Sequence, residues 1–481
     1  ILTSSLVTIK NVGKLYTISL EPTDTGLIFK QKIQEVTNIP PERQKILLKG
    51  GKVQDDVTID SLPLSQKTPI MVLGSPDSGL PSKPVEKQVF LEDLNQNQLY
   101  KVDNEPSGFV NVGNTCYANS ALQMLYKNED LRKKVSDFKP SESLAPVVPQ
   151  RLTKELSNLF AKMDKKQQNI NPTLFLTLVR SYYTQFNERS PQGGYKQQDA
   201  EEFYLLMLSV LAQTANIEDY FKITLKSTLK CLALPDSEKQ VLYEEANKLS
   251  CHITIQTNFL RDGILSGLKE TVEKHNDTLG GNAEYEVVKR VTRLPKYLTV
   301  QFVRFFWKRD TQKKSKILRK VQFPFEFDVA DLLDELIKAE KTSVRDKIRQ
   351  VEKDNSDLLR DFKKTKRSGG VALQQQEDED KMKLLLIRSK FEDDLKSVLP
   401  EIDFESTTEN PLLVYQLQAI ISHKGALADS GHYQSWVRDE NDLDGERWFK
   451  FNDDQVLVVD KGKIEQLAGG GESDNALVLL Y

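Results

Sequence analysis

GFVNVGNTCYANSALQMLY, residues 108–126, is the stretch whose reading decides the fold. Gly113 and Asn114 permit a tight turn, Thr115 and Asn119 are cap-type residues, and YANSALQMLY has the small-then-apolar pattern of a helix that enters a core. Cys116 therefore falls at a helix N-terminus. There, unpaired backbone N–H groups and the positive end of the helix dipole favour the thiolate, the nucleophilic form of the side chain. The blander reading is a small buried hydrophobe, and the spacing by itself leaves both open.

A thiol nucleophile needs a base, and the chain has four histidines to choose from. His252 adjoins Cys251 in the strand-like run KLSCHITIQ, where neighbours point to opposite faces and cannot form a dyad. His275, in TVEKHNDTLGG, reads as a solvated or C-capping residue at the end of a helix. His423 and His432 bracket the loop KGALADSG. His432 opens the strand HYQSWVR, and Ser430-Gly431 before it leave room for a substrate. The next strand, ERWFKFNDD, follows the turn NDLDG and can pair with HYQSWVR as an antiparallel ribbon. Depending on register, Asn452 or Asp453 lies opposite His432, and a one-residue slip exchanges the faces. Either side chain could accept the imidazole N–H, as a neutral Asn does in Cys-His-Asn sites. The alternative is a polar strand end entering a turn.

Working outward, the chain has 481 residues, room for about three or four domains or two with insertions. Its 67 Lys+Arg nearly balance 70 Asp+Glu, a net charge of −3, so the basic footprint that nucleic acid or an anionic membrane requires is missing. No apolar run is long enough to span a bilayer, and ILTSSLVTIKNVGKLY does not read as a signal peptide, so a soluble intracellular protein is expected. Three cysteines, Cys116, Cys231 and Cys251, exclude a disulfide scaffold and point to a reducing compartment. With no C-x-x-C and four histidines, a structural zinc site has few ligands, and no metal or cofactor is expected.

Residues 1–74 form a self-contained unit. LVTIKN and LYTISLE are strands around a turn at Asn11 to Gly13, TDTGLIFKQKIQEVTN is a helix with Thr23 or Asp24 as its cap, and QKILLK and PIMVLG supply two more strands. This order, with NIPPERQKILLKGG in its middle, resembles the ubiquitin-like β-grasp. Leu73-Gly74-Ser75-Pro76 replaces ubiquitin's terminal Arg-Gly-Gly, so a permanent docking handle is expected rather than a removable tag. Residues 75–105, rich in Pro, Ser and charge, read as a linker. Residues 106–481 are too long for one simple core. A polar insertion at about 334–400 carries two helical patterns, Val344, Ile348, Val351, Asn355, Leu358, Phe362 and then Leu384, Ile387, Phe391, Leu395, Val398. Ser368-Gly369-Gly370 lies between them, which predicts an antiparallel helical hairpin with a flexible tip, or two ordinary amphipathic helices on a common core.

The ordered boxes GFVNVGNTCYANSALQMLY, YKQQDAEEFYLLML, RLPKYLTVQFVRF, KILRKVQFPFEFDV and SGHYQSWVRD…RWFKFNDDQV…LVLLY resemble the ubiquitin-specific protease family of cysteine deubiquitinases over nearly all of residues 106–481. The resemblance implies an α+β, papain-like fold of thumb, palm and fingers behind the β-grasp domain. It makes Cys116 the nucleophile, His432 the general base and Asn452 the third triad member. Many members have Asp at that position, which leaves open whether Asp453 shares the orienting role. Asn111 matches the side chain that helps to form the oxyanion hole. Gln197 and Asp199 match residues that hold the extended ubiquitin tail, although Asp199 also reads as the N-cap of AEEFYLLMLSVL. Many members carry two C-x-x-C pairs in the fingers; here only isolated Cys231 and Cys251 occur, so no zinc ribbon is expected.

The fused ubiquitin-like domain and the ending LAGGGESDNALVLLY are similar to the proteasome-associated branch of the family. That similarity implies docking on the base of the 26S proteasome regulatory particle, with Leu47 at the centre of the docking patch. It also implies removal of ubiquitin from proteasome substrates, weak activity in the free enzyme, and a proteasome-bound location in cytoplasm and nucleus. FFWKRDTQKKSKILRK (305–320) and KGALADSG would be two loops that obstruct the tail channel. The basic run reads otherwise as a solvated hairpin turn. No nucleic-acid or membrane partner is expected. A second reading, of another class, is a ubiquitin-binding regulatory subunit of the proteasome that acts by occupancy rather than by chemistry.

Overall fold

The computed structural model describes every residue except 1–4, 38, 49–52, 65–67, 75–104, 142–146, 191–192, 309–312, 368–372, 405, 426–429, 443–444 and 472. The chain divides into two units, Ile1–Asn95 and Gln96–Tyr481. Most of the 75–105 stretch, Ser368-Gly369-Gly370, expected at the tip of the helical pair, and the centres of the two loops expected to obstruct the tail channel lie outside the described residues.

In the first unit, strands β1 (Ser5–Asn11) and β2 (Lys14–Leu20) form a hairpin whose turn, Val12-Gly13, has positive φ at both residues. Helix α1 (Gly26–Thr37) crosses to β3 (Lys45–Leu47) and β4 (Ile70–Leu73), giving the sheet order β2-β1-β4-β3 with β1 and β4 parallel. The cap of α1 is neither Thr23 nor Asp24. Thr25 Oγ1 accepts from Ile28 N–H at 3.4 Å, while Asp24 is drawn to the Glu21 N–H and the Lys32 ammonium. Alternation sets the faces: Ile46 is buried and Leu47 is 47% exposed.

In the second unit, helix α2 (Cys116–Lys127) is the central element. Eleven of its twelve residues are buried, the polar Asn119, Ser120, Gln123 and Lys127 among them. Around it stand α3 (Glu129–Ser136), α4 (Val147–Asp164), α5 (Thr173–Tyr182), α6 (Ala200–Ala215) and the single turn α7 (Glu218–Phe221). The strands that follow are β5 (Ile223–Cys231), β6 (Gln240–Ala246), β7 (Leu249–His252), β8 (Lys269–Asn276) and β9 (Gly281–Arg293), with α8 (Leu260–Gly267) between β7 and β8. Strands β6-β5-β9-β8 make a separate four-stranded sheet. His275 lies in β8, not at a helix end: Lys269–Asn276 pairs throughout with β9.

The second half supplies β10 (Thr299–Val303), the hairpin β11 (Phe305–Lys308) and β12 (Lys313–Lys316), and β13 (Glu326–Asp328). Helices α9 (Glu335–Arg367) and α10 (Leu373–Val398) then pack against each other, and β14 (Val414–Gln416) pairs with β13. Strands β15 (Ala419–Lys424), β16 (His432–Arg438), β17 (Arg447–Asn452) and β18 (Gln455–Asp460), the short helix α11 (Lys461–Glu465) and β19 (Asn475–Leu480) complete the chain. They build a seven-stranded sheet of order β18-β17-β16-β15-β19-β10-β7. Alternate residues separate its two faces: Ala419 and Ile421 join the helical core around α2, while Ile420 joins the opposite core with Trp436 and Leu479. Among the described residues no helix is long and apolar enough to cross a membrane.

Candidate active site

The site forms where α2 begins and β16 begins. The turn ahead of α2 places Asn114 at φ 51°, and its side-chain amide donates to the Tyr195 carbonyl at 2.8 Å, fixing the segment that carries Gln197. Thr115 stands at the N-cap, but its hydroxyl turns back, accepting from Val112 N–H at 3.0 Å and donating to Asn111 Oδ1 at 3.3 Å. It does not cap α2. The first N–H groups of the helix are thus left for the thiol, which faces the backbone N–H groups of Cys116 and Tyr117 and, across the cleft, of Tyr433.

Those N–H groups favour the thiolate, yet they do not prevail. Cys116 is 2% exposed, and burial pushes its thiol up to about 11, with the nearby Asp453 charge adding to the rise. The helix terminus alone predicts the opposite direction; loss of hydration outweighs it.

His432, half-buried at the start of β16, has its Nε2 2.5 Å from Asn452 Oδ1. Neither of the two registers considered from sequence is present. Ser435 pairs with Phe451, so on the same count Gln434, not His432, stands opposite Asn452. A shift of two keeps the faces, however, and the two side chains meet on the diagonal of one face. Asp453 occupies the tight turn to β18 at φ 56°, with Oδ2 3.8 Å from His432 Nε2. Its carboxylate is held elsewhere: Asn111 Nδ2 donates to Oδ2 at 3.0 Å and Asn119 Nδ2 to Oδ1 at 2.8 Å. The Asn111 amide is oriented in turn by the Gly113 N–H, which donates to its Oδ1 at 3.0 Å.

Asp199 caps α6: its Oδ1 accepts from Glu201 N–H at 2.8 Å and from Glu202 N–H at 3.4 Å. Gln197 lies just before, its amide nitrogen buried without a protein partner. His423, the other histidine of the loop, is fully buried, packed edge-on between Phe305 and Tyr433, and burial pulls its imidazole down to about 3. That shift favours the neutral ring near neutral pH. Cys251 and His252 lie on β7 beside β10, and Cys231 ends β5 in the other sheet, so the two cysteines are not neighbours.

Two contributors were not read from the sequence: the Tyr433 N–H that faces the thiol, and the Asn119 grip on Asp453. Asn119, three residues after Cys116 in the first turn of the helix, was the available signal for the second.

The chain matches the family model "Ubiquitin carboxyl-terminal hydrolase" over residues 107–481 and the model "Ubiquitin family" over residues 7–77. It is 37% identical over 480 residues to ubiquitin carboxyl-terminal hydrolase 6 of Schizosaccharomyces pombe, covering 99% of this chain and 98% of that protein. It is 31% identical to ubiquitin carboxyl-terminal hydrolase 7 of Arabidopsis thaliana, with 99% and 98% covered, and 31% identical to ubiquitin carboxyl-terminal hydrolase 14 of Caenorhabditis elegans, with 99% and 93% covered. Full-length matches at this identity establish that the chain belongs to the ubiquitin carboxyl-terminal hydrolase family and is a cysteine deubiquitinase carrying a ubiquitin-family domain.

Proposed function

We propose that Cys116, His432 and Asn452 form the catalytic triad of a deubiquitinase that works on proteasome substrates. The observation that carries the triad is the 2.5 Å contact between His432 Nε2 and Asn452 Oδ1, made on the strand whose next N–H, from Tyr433, faces the thiol. With Nε2 held by Asn452, Nδ1 is the ring nitrogen left for the thiol proton. His432 takes that proton as Cys116 Sγ attacks the carbonyl of ubiquitin's terminal glycine, then gives it to the departing lysine amine. Water, deprotonated by the same imidazole, releases the acyl group and regenerates the thiol.

The developing oxyanion is met by the uncapped N–H groups of α2 and by the Asn111 amide, whose nitrogen spends one hydrogen on Asp453 and keeps a second. Asp453 serves as an auxiliary that orients Asn111 and Asn119 rather than as the direct partner of His432. Gln197, with its unpaired amide nitrogen, and the Asp199 segment receive the extended tail of ubiquitin.

The ubiquitin-family domain is the proteasome-docking handle. Leu47 and Met71 pair across β3 and β4 and are 47% and 46% exposed, with Leu73 beside them at 47%. Three apolar side chains on one sheet face form a patch suited to a protein partner. The partner is the base of the 26S regulatory particle, and the location is proteasome-bound, in cytoplasm and nucleus.

Hydrolysis of a fluorogenic ubiquitin C-terminal amide, alone and with purified proteasome, tests both halves. Turnover that disappears in Cys116→Ala and rises on adding proteasome is the expected result. Proteasome effects that persist in Cys116→Ala, with no cysteine-dependent turnover in either condition, would instead favour action by occupancy.

A further inference from the structure

Cys116 and His432 are the first residues of their elements, and the two elements, α2 and β16, pack along each other. Near the site the Tyr433 N–H reaches across to the thiol. At the far end the last residue of α2, Lys127, donates to the carbonyl of the last residue of β16, Arg438, at 3.2 Å, and to Glu440 Oε1 at 2.8 Å. The Lys127 side chain is only 7% exposed, and burial pulls its ammonium below the ordinary lysine value. Burying an ammonium is unfavourable unless it is well partnered. A cleft of about 230 Å³ opens beside this end, with Gln123, Lys127, Arg438, Glu440 and Phe449 in its lining. The polar contacts of Lys127 join helix and strand along it. The third participant comes from the helical insertion: Arg388 of α10 donates to the Glu440 carbonyl at 3.1 Å.

We infer that Lys127 is a positioning residue that sets how far α2 slides along β16, and hence the distance between thiol and imidazole, and that the helical insertion bears on this setting through Arg388 and Glu440. A helix of this length is about 18 Å long and nearly rigid, so a displacement at its last residue is carried to its first. A misplacement of about 1 Å between reacting groups costs up to about 100-fold in rate. The insertion thereby acquires a route to the site that does not pass through the obstructing loops: whatever docks on α9 and α10 alters the hold on Glu440. This inference rests on the catalytic roles proposed for Cys116 and His432.

The test measures turnover of a fluorogenic ubiquitin amide by the full chain, with active sites titrated by a ubiquitin C-terminal electrophile so that kcat refers to competent molecules. Lys127→Met is expected to lower kcat per titrated site about tenfold with KM changed less than about twofold, and Lys127→Arg to recover most of the loss. Arg388→Ala is expected to lower kcat about two- to threefold, and to add nothing further in a Lys127→Met background, because both act through Glu440. If Lys127→Met reduces only the titrated fraction and leaves kcat per site at the wild-type value, the residue is merely structural and the inference is overturned. Should that variant not fold, wild-type kcat in both Arg388→Ala and Glu440→Gln overturns it equally. Loss of activity in Cys116→Ala marks the underlying reading as sound in each of these cases; turnover surviving in Cys116→Ala is failure of that reading instead.

Discussion

At the scale of single residues, the thiol is held in its unreactive form by its own burial. With the Cys116 pKa raised to about 11, the thiolate population in the free protein grows with pH across the whole neutral range. Alkylation of Cys116 by iodoacetamide is therefore expected to accelerate about tenfold per unit between about pH 7 and about pH 9. A plateau already reached at acidic pH would mean a preformed thiolate–imidazolium pair. Asn452 and Asp453, which the sequence leaves open as partners of His432, differ in their contacts. Asn452→Ala removes the 2.5 Å contact to His432 and is expected to lower kcat by at least about tenfold, through loss of the ring's orientation. Asp453→Ala frees the Asn111 and Asn119 amides, and its loss should resemble that of Asn111→Ala, about 100-fold in kcat for an oxyanion donor. Equal and small effects from Asn452→Ala and Asp453→Ala, measured as kcat per titrated site, would refute this division. Cys116 and His432 could be singled out as candidates because each sits in a short segment with its own signature, whereas the choice between Asn452 and Asp453 depends on a register that the sequence leaves open. The thiol's protonation was not: it depends on how much water the surrounding core excludes, and no local pattern encodes that.

At the scale of elements, the helix at 116, the strand at 432 and the paired helices of the insertion follow from periodicity and breakers, and each has its counterpart in the structure. Register does not follow. The five-residue turn NDLDG could close in several ways, and the observed pairing, Ser435 with Phe451, is set by burial of Trp436 and Phe451 on opposite faces together with the Asp439–Arg447 ion pair at 2.6 Å. The caps tell a similar story, because Thr25, Thr115 and Asp199 all look alike in sequence, yet Thr115 bonds back to Val112 and Asn111 while Thr25 and Asp199 accept from the helix that follows. Gly108 exposes a dependence between distant elements. A Cβ there would lie 2.7 Å from the Asp454 Cα and 2.8 Å from the Asp453 carbonyl oxygen, and Phe109 N–H donates to that same carbonyl at 3.0 Å. Gly108→Ala must push the β17–β18 turn away from α2. The expected outcome is a fall in kcat of about tenfold or more through Asp453, with the fold retained by circular dichroism; wild-type kcat in a folded variant would show that the turn can move without cost.

At the scale of the whole molecule, the proposed function assigns docking to the first unit and chemistry to the second. Leu47→Arg combined with Met71→Arg charges an exposed sheet face and leaves the buried alternates Ile46 and Val72 in place. Stimulation by proteasome is expected to disappear while turnover of a fluorogenic ubiquitin amide by the free protein stays within about twofold of the unmodified chain. Retained stimulation would locate the docking surface elsewhere. The seven-stranded sheet carries a last consequence. Strand β19, made after all the other strands, lies in its middle, joining the β15–β18 half to β10 and β7. During translation at roughly 5–20 residues per second, the half that bears His432 and Asn452 emerges several seconds before the strand that binds it to the rest. Until β19 has been made, a growing chain lacks the strand that joins the half bearing His432 and Asn452 to β10 and β7, so the seven-stranded sheet is completed only late in synthesis.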